Sequence, residues 1–463
     1  MTKRPILIGL VCAWLTGSFL FPVCLCAADS VQVQLSDLYR LADEECQQIK
    51  ISEQTLQAAQ EATRQAKTGL TPHVNINVSG SYIGDAYLMS RGFSTSGQTQ
   101  VIVPGLGPQN VDNGRQPSPH WGNVFSIEAT QVICAGGGIV AGIKMAQLGE
   151  EIAELDVAKS RQEVRFLLTG YFLDLVKLDN QLQVIDRHIE LTERVLEQMR
   201  AKEAVGVVLR NDLTRYELQL KQLQLTRIQI EDAQSIVRHQ LQTTLHRPEG
   251  TVLVPDTMRL AAEYAALEQV AAEQTWQSRA TDSHLGIQQA EKAEQLSEQQ
   301  VKATRAASIP SIAIVAKDEL FGPYTSDLIP TDANVNAWFV GIGLQYDLGS
   351  LWHNHRAIKQ SKVESQKSKA QTALVRENVN NAVHAGYVHF LTSFTEVETQ
   401  EKQVQLADEN YELVEKRYNN ELALLTDLLD ASSIKLQSDI ALVNARVNLL
   451  YNYYQLKYIT HTL

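Results

Sequence analysis

Hydrophobic positions along the chain follow two rhythms. The first is helical. Leu436, Ile440, Val443, Val447, Leu450 and Tyr454 are spaced 4-3-4-3-4, and Leu178, Leu182, Ile185 and Ile189 keep the same spacing far upstream. Alternating 4 and 3 is a period of 3.5, the seam of supercoiled helices. Gln, Glu, Lys and Asn fill the positions between, as on a solvated face. No proline interrupts the stretch from about Gly138 to Lys202. At 1.5 Å per residue such a helix runs about 100 Å, roughly twice the width of a compact domain of this mass. The stretch from about Trp352 to Arg417 is similar. These predict columns rather than parts of a globule.

The second rhythm has period 2. Val74, Ile76, Val78 and Tyr82 alternate with Asn75, Asn77, Ser79 and Ser81. Phe125, Ile127 and Ala129 alternate with Ser126, Glu128 and Thr130. Ile312, Ile314 and Ala316 follow Pro310, and Trp338, Val340, Ile342, Leu344, Tyr346 and Leu348 alternate with Gly341, Gly343, Gln345 and Asp347. Strands are therefore expected at 73–83, 123–133, 311–321 and 337–348. Each has about ten residues, the length of a tilted strand across a bilayer. Trp121, Phe125, Tyr324, Trp338, Phe339 and Trp352 lie towards the strand ends, where an aromatic girdle sits. The loops at about 84–121 and 322–336 are rich in Gly, Ser, Asn, Asp and Pro and read as exposed connections.

The two rhythms recur in one order: helix, strand, polar loop, strand, very long helix, helix. Gly170-Tyr171 answers to Gly386-Tyr387, and Asn211-Asp212-Leu213 answers to Thr426-Asp427-Leu428. Arg64-Gln65-Ala66 before Thr71-Pro72 answers to Ala303-Thr304-Arg305 before Ile309-Pro310. The chain thus reads as two repeats, 29–248 and 262–463, joined by a linker at 249–261.

The N-terminus adds a compartment. Lys3 and Arg4 precede an apolar run from Ile6 to Cys26, and Cys26-Ala27-Ala28 precedes a polar chain. This is the three-part pattern of a signal peptide over residues 1–28. The formal charge of the whole chain is −12; without Lys3 and Arg4 it is −12 − 2 = −14. An acidic chain does not suit nucleic acid. Beyond the first 30 residues no run of about 18 apolar residues marks a membrane helix. Cys46 and Cys134 alone remain after the signal, too few for a disulfide framework, and read as buried fillers.

Four strands cannot close a barrel, and lipid forbids an open sheet edge. If the strands span a membrane, other copies must complete the barrel. Two copies give about 8 strands and little room for a channel, whereas three give 12. Taken alone, the same alternation also fits a small soluble sheet beside a helical rod.

In this order, and twice over, the pattern resembles the outer membrane efflux protein family, the TolC-like channels. The resemblance rests on Ala66-Lys67-Thr68-Gly69-Leu70-Thr71-Pro72 and Ala306-Ala307-Ser308-Ile309-Pro310. It rests also on Gln131-Val132-Ile133 before Gly136-Gly137-Gly138, on Tyr346-Asp347-Leu348-Gly349, and on Tyr418 leading to Leu425-Thr426-Asp427-Leu428-Leu429-Asp430-Ala431. It covers nearly the whole mature chain. The resemblance implies a mainly α fold with a small β part: a homotrimer with an α-barrel tunnel and a 12-stranded transmembrane β-barrel. It implies a passive export duct in the outer membrane, not an enzyme, with a periplasmic adaptor and an inner-membrane transporter as partners and no cofactor. Asp427 and Asp430 match the family's paired pore aspartates. Asn211 and Asp212 match the polar pair that holds the entrance closed, and Tyr418 matches its hydrogen-bonding tyrosine. Residues i and i+3 share a helix face, so three chains would stack two carboxylate rings that favour cations. The sequence departs from the family at Ala423, where an arginine is expected, and at Glu421, where a glycine is expected. Arg210 and Arg417 are the candidate substitutes for the missing arginine.

Other constellations carry less. His353-x-His355 lacks the further soft ligands of a metal site and reads as helix-start surface. Gly341-x-Gly343 lacks the rest of a nucleotide loop and reads as glycines facing a crowded neighbour in a strand. The alternative to the duct is a secreted or periplasmic coiled-coil structural protein without a pore.

Overall fold

A computed structural model of the chain describes residues 30–84, 99–103, 107–111, 120–247, 252–256, 264, 267, 272–326, 329–331 and 333–463. The expected signal peptide, most of the loop at 84–121 and parts of the linker lie outside the described residues.

The described chain runs β1 (Ser30–Val33), α1 (Leu35–Glu45), α2 (Gln47–Thr68), β2 (His73–Tyr82), β3 (Thr99–Val103), β4 (Gly107–Val111) and β5 (Trp121–Ala135). It continues through α3 (Gly138–Ala204), α4 (Arg210–Thr244), β6 (Val252–Pro255), α5 (Glu273–Ser283), α6 (Leu285–Ala306), β7 (Ser311–Gly322) and β8 (Tyr324–Ser326). Then come β9 (Ile329–Thr331), β10 (Val335–Gln345), α7 (Ser350–Asn419) and α8 (Leu425–Ile459). α3 has 67 residues and α7 has 70, so each is about 100 Å long. No described helix is long and apolar enough to cross a membrane.

Each long helix follows a strand, and local chemistry makes the switch. Gly136 and Gly137 have φ of 59° and 85° between β5 and α3, and a Cβ on Gly136 would sit 2.7 Å from that of Ile309. Before α7, Asp347 ends the ladder instead: its Oδ1 accepts from the Gly349 amide at 2.9 Å, and its carbonyl accepts from that of Ser350. This stops β10 at Gln345, three residues before the alternation in the sequence ends. β5 runs two residues past the expected bounds at each end, with a register shift between Val132 and Cys134.

The main sheet is antiparallel in the order β10-β7-β5-β2, so β10 and β2 are its edges. Apart from it, β1 pairs with β6 in parallel, tying the N-terminal segment to the linker.

The helices pack along the predicted seams. Ile185, Leu223 and Ile230 are buried with Leu178, Leu182, Ile189, Leu436 and Ile440 against them, so both predicted seams meet in one cluster. A larger cluster includes Leu38, Ile49, Leu168, Phe172, Phe390 and Tyr454. Polar contacts set the pairing of helices: Arg161–Glu53 at 2.8 Å and Arg165–Asp43 at 2.7 Å join α3 to α2 and α1, and Lys292–Glu151 at 2.6 Å joins α6 to α3. Cys46 is a buried filler as expected, but Cys134 is exposed. It pairs with Ile312 at the base of the sheet, whose apolar face lacks cover among the described residues.

Candidate functional site

Two regions carry the sequence-predicted residues: the helix turns that join α3 to α4 and α7 to α8, and the sheet.

The two turns are built alike. The Gly206 amide donates to the Glu203 carbonyl and the Val207 amide to that of Lys202. In the second turn the Glu421 amide donates to the Tyr418 carbonyl and the Leu422 amide to that of Arg417. This is the closure of a helix C-terminus by a left-handed residue. That residue is Gly206 with φ 79° in one turn and Glu421 with φ 61° in the other. The sequence departure at Glu421 therefore falls at a position whose backbone favours glycine.

Each following helix starts on an acid. Asp427 Oδ2 accepts from the Leu424 amide at 3.1 Å, and Asp212 stands in the first turn of α4. Carboxylates there satisfy free amides and oppose the helix dipole. Asp427 and Asp430 are both exposed, while Leu428 between them is fully buried. The structure thus presents the predicted pair on one open face of α8. Asn211 is exposed beside the half-buried Asp212.

Tyr418 is half-buried where the two turns meet. The Lys202 ammonium lies 5.4 Å from its ring centroid, a cation–π arrangement. Burial first, and then the charge of Asp212, raise the Tyr418 hydroxyl above its ordinary pKa. Asp212 and Tyr418, from different halves, therefore share one neighbourhood, though among the described residues no hydrogen bond joins them. Below them Tyr216, Tyr411, Met199, Leu213 and Leu428 form the buried cluster that binds α3, α4, α7 and α8 together. Burial raises the hydroxyls of Tyr216 and Tyr411 as well, so all three stay neutral.

Arg210, one of the candidate substitutes for the missing arginine, has a partner within its own hairpin. It lies 3.6 Å from Glu203, because the tight turn brings α4's first residue back over the end of α3. Sequence reasoning overlooked the apolar tips of both turns: Val205, Leu209, Leu422 and Leu424 are all more than two-thirds exposed. Their signal was a run of aliphatic residues where a turn is usually polar.

In the sheet, paired residues share a face. One face carries Val74, Ile76 and Val78 opposite Ala129, Ile127 and Phe125, then Ala316, Ile314 and Ile312 opposite Val340, Ile342 and Leu344. The other carries Asn75, Asn77, Ser79, Ser126, Glu128, Lys317 and Glu319, with Lys317 paired to Glu319 at 3.1 Å. Gly341 and Gly343 meet no crowding: a Cβ on Gly341 has nothing within 4 Å and one on Gly343 only the Ala313 carbonyl at 4.0 Å. Their strand is a sheet edge, so no neighbour presses on them within the chain. The charged run Lys317-Asp318-Glu319 also went unremarked in the sequence, and it puts Asp318 on the apolar face. His353 and His355 are exposed in the first two turns of α7. Among the described residues no group of three or more His, Cys, Asp and Glu could hold a metal ion.

Residues 276–460, from α5 to the end of α8, match the family described as outer membrane efflux protein. That family is one of channels and transport, not of enzymes. The matched range contains Asp427, Asp430 and Tyr418, while Asn211 and Asp212 lie outside it. The whole chain has the fold of TolC-like channels. It is similar to VceC of Vibrio cholerae, an outer membrane protein, at 14% identity over 92% of this chain and 95% of that one, with a TM-score of 0.72. It is similar to CusC at 13% identity over 93% and 92%, with a TM-score of 0.73. The CmeC outer membrane channel of Campylobacter jejuni follows at 13% over 92% and 85%, with a TM-score of 0.69. A search of the curated proteins gives no match.

Proposed function

We propose that the chain is one subunit of a homotrimeric outer membrane duct that passively exports cargo, served by a periplasmic adaptor and an inner-membrane transporter. The observation that carries this reading is the four-stranded sheet. It has one apolar face, one polar face and two unpaired edges. In lipid such edges must be paired, and three copies edge to edge give 12 strands around a polar lumen. The long helices continue the wall into the periplasm.

The helix turns form the narrow end. Asp427 and Asp430 supply two rings of carboxylates there, and Asn211, Asp212 and Tyr418 hold the turns of the two halves together. Like charges crowded in a ring attract divalent cations. Asp427→Ala combined with Asp430→Ala is expected to weaken block of single-channel current by divalent cations at least several-fold; unchanged block removes these acids from the gate.

The reading itself is tested by fractionation and gel migration. The protein is expected in the outer membrane fraction, migrating as an oligomer until heated. Recovery only from the soluble periplasm would support the pore-less coiled-coil protein instead.

A further inference from the structure

Asp318 stands where the proposed duct should meet lipid. It pairs with Trp338 on one side and Ile127 on the other, and Ile76 completes the row. Among the described residues its one polar partner is the Asn336 side-chain amide, which donates to Oδ1 at 2.9 Å, and no cation neutralises it there. A carboxylate within hydrocarbon is costly unless neutralised. Outward positions beyond it change character: the next row holds Asn336 beside Leu320, Phe125 and Val78, and the row after that holds Asn123, Gly80 and Gly322. In the opposite direction the apolar surface continues past the strands. Leu70, Ile309, Leu348, Leu351 and Trp352 are each about half exposed or more at the sheet's helical end.

We infer that the hydrocarbon layer is bounded on this chain by the row of Asp318 and Trp338 on one side and by the first turn of α7, at Leu351 and Trp352, on the other. This rests on the reading of the sheet as membrane-spanning. Under it the far end of the sheet, with Trp121 and Tyr82, stands among headgroups and water, and the starts of the long helices are immersed.

The spacing fits. From Trp338 to Gln345, the seven steps along the strand rise about 18 Å at the usual pitch and tilt. The turn and the first helical residues add about 5–10 Å. The sum matches the roughly 25 Å apolar band of outer-membrane barrels. Both bounds carry an exposed tryptophan, Trp338 at 74% and Trp352 at 64%, the side chain that favours interfaces. Placing the bound at Trp121 instead sinks Asp318 by about 15 Å, near mid-layer.

Depth-dependent quenching tests this on the full-length protein in phosphatidylcholine vesicles doped with lipids spin-labelled near the headgroup or near the chain end. Variants keep one tryptophan each, the others being replaced by phenylalanine. Trp338 and Trp352 are expected to lose more emission to the shallow label than to the deep one. Trp121 is expected to lose little to either and to be quenched by iodide. The buried Trp276 is the reference. Strongest quenching of Trp338 by the deep label, with Trp121 responding to the shallow one, overturns the inference and leaves the membrane reading standing. Lipid quenching at none of the exposed tryptophans overturns the membrane reading, and this inference with it. Should a tryptophan variant fail to assemble, Asp318→Cys carrying a thiol fluorophore, in a Cys134→Ser background that removes the other exposed thiol among the described residues, reads the same level.

Discussion

Glu421 holds a left-handed backbone at φ 61° where the matching turn has Gly206. A side chain there costs about 1 kcal/mol relative to glycine, partly offset by glycine's greater freedom when unfolded. Glu421→Gly is therefore expected to stabilise the protein by about 0.5 kcal/mol, and Gly206→Ala to destabilise it by about 1 kcal/mol; thermal unfolding followed by circular dichroism checks both. His461 offers a second test. Burial pushes its pKa down to about 4, helped by the charges of His284 and Lys159, and the two imidazoles meet edge to face at 4.4 Å. The folded protein keeps this ring neutral, while the unfolded chain protonates it below about 6.5. Its contribution is complete above that pH and is lost as pH falls towards 4. The melting temperature should drop between pH 7 and pH 5, and by less in His461→Asn, which tolerates the left-handed backbone (φ 52°) at that position. An equal drop in both would assign the acid sensitivity elsewhere. At this scale Glu421 was legible as a departure from the family, but its strain was not, since φ depends on the turn that the whole hairpin closes.

At the scale of elements, the long helices were the most legible part of the chain. Proline-free stretches and 3.5-residue seams place α3 and α7 to within two residues at each end, because each extra turn adds the same pattern. The four strands of the main sheet were legible in number and face, less so in extent, and the short pairs β3–β4 and β8–β9 within the polar loops were missed. The shift at Val132/Cys134 and the Asp347 turn break the alternation through local hydrogen bonds that period 2 does not encode. The third strand was placed to within one residue, at 311–321 against Ser311–Gly322, but the charges of Lys317, Asp318 and Glu319 within it went unremarked. The start of α8 shows how two neighbouring residues divide labour. Leu428 is fully buried in the cluster under the turns, while Asp427 caps the helix from an exposed position. Leu428→Ala is expected to cost about 3 kcal/mol and Asp427→Ala about 1 kcal/mol, measured by denaturant unfolding in detergent. Reversal of that order would mean that the turn, not the cluster, anchors α8.

At the scale of the molecule, the sequence implied that one copy is incomplete if its strands span a membrane, because four strands leave edges. Exposed aliphatic residues on α4 and α7, among them Leu218, Leu225, Val388 and Leu406, repeat that message along the helices. The acids of the proposed gate were legible only through resemblance. Any helix here carries acids at i and i+3, and nothing local separates a pore-facing pair from a solvated one. The juxtaposition of Asp212 with Tyr418 was equally hidden, being a contact between residues two hundred positions apart.

The two bare edges of the sheet, β2 and β10, carry a genetic consequence. In the proposed ring of three, joining two copies satisfies one seam and leaves two edges still open, so stability is expected only with the last subunit and partial assemblies are expected to be rare. One defective copy then spoils a whole ring. A chain with proline at Val340, on the β10 edge, removes an amide from the ladder while keeping its other edge competent to recruit. Co-expressed with the native chain in equal amounts, it should poison assembly: with random mixing into threes, about one ring in eight is wholly native. Heat-modifiable oligomer on gels should fall accordingly. A fall only to one half would mean that copies sort by type before they close.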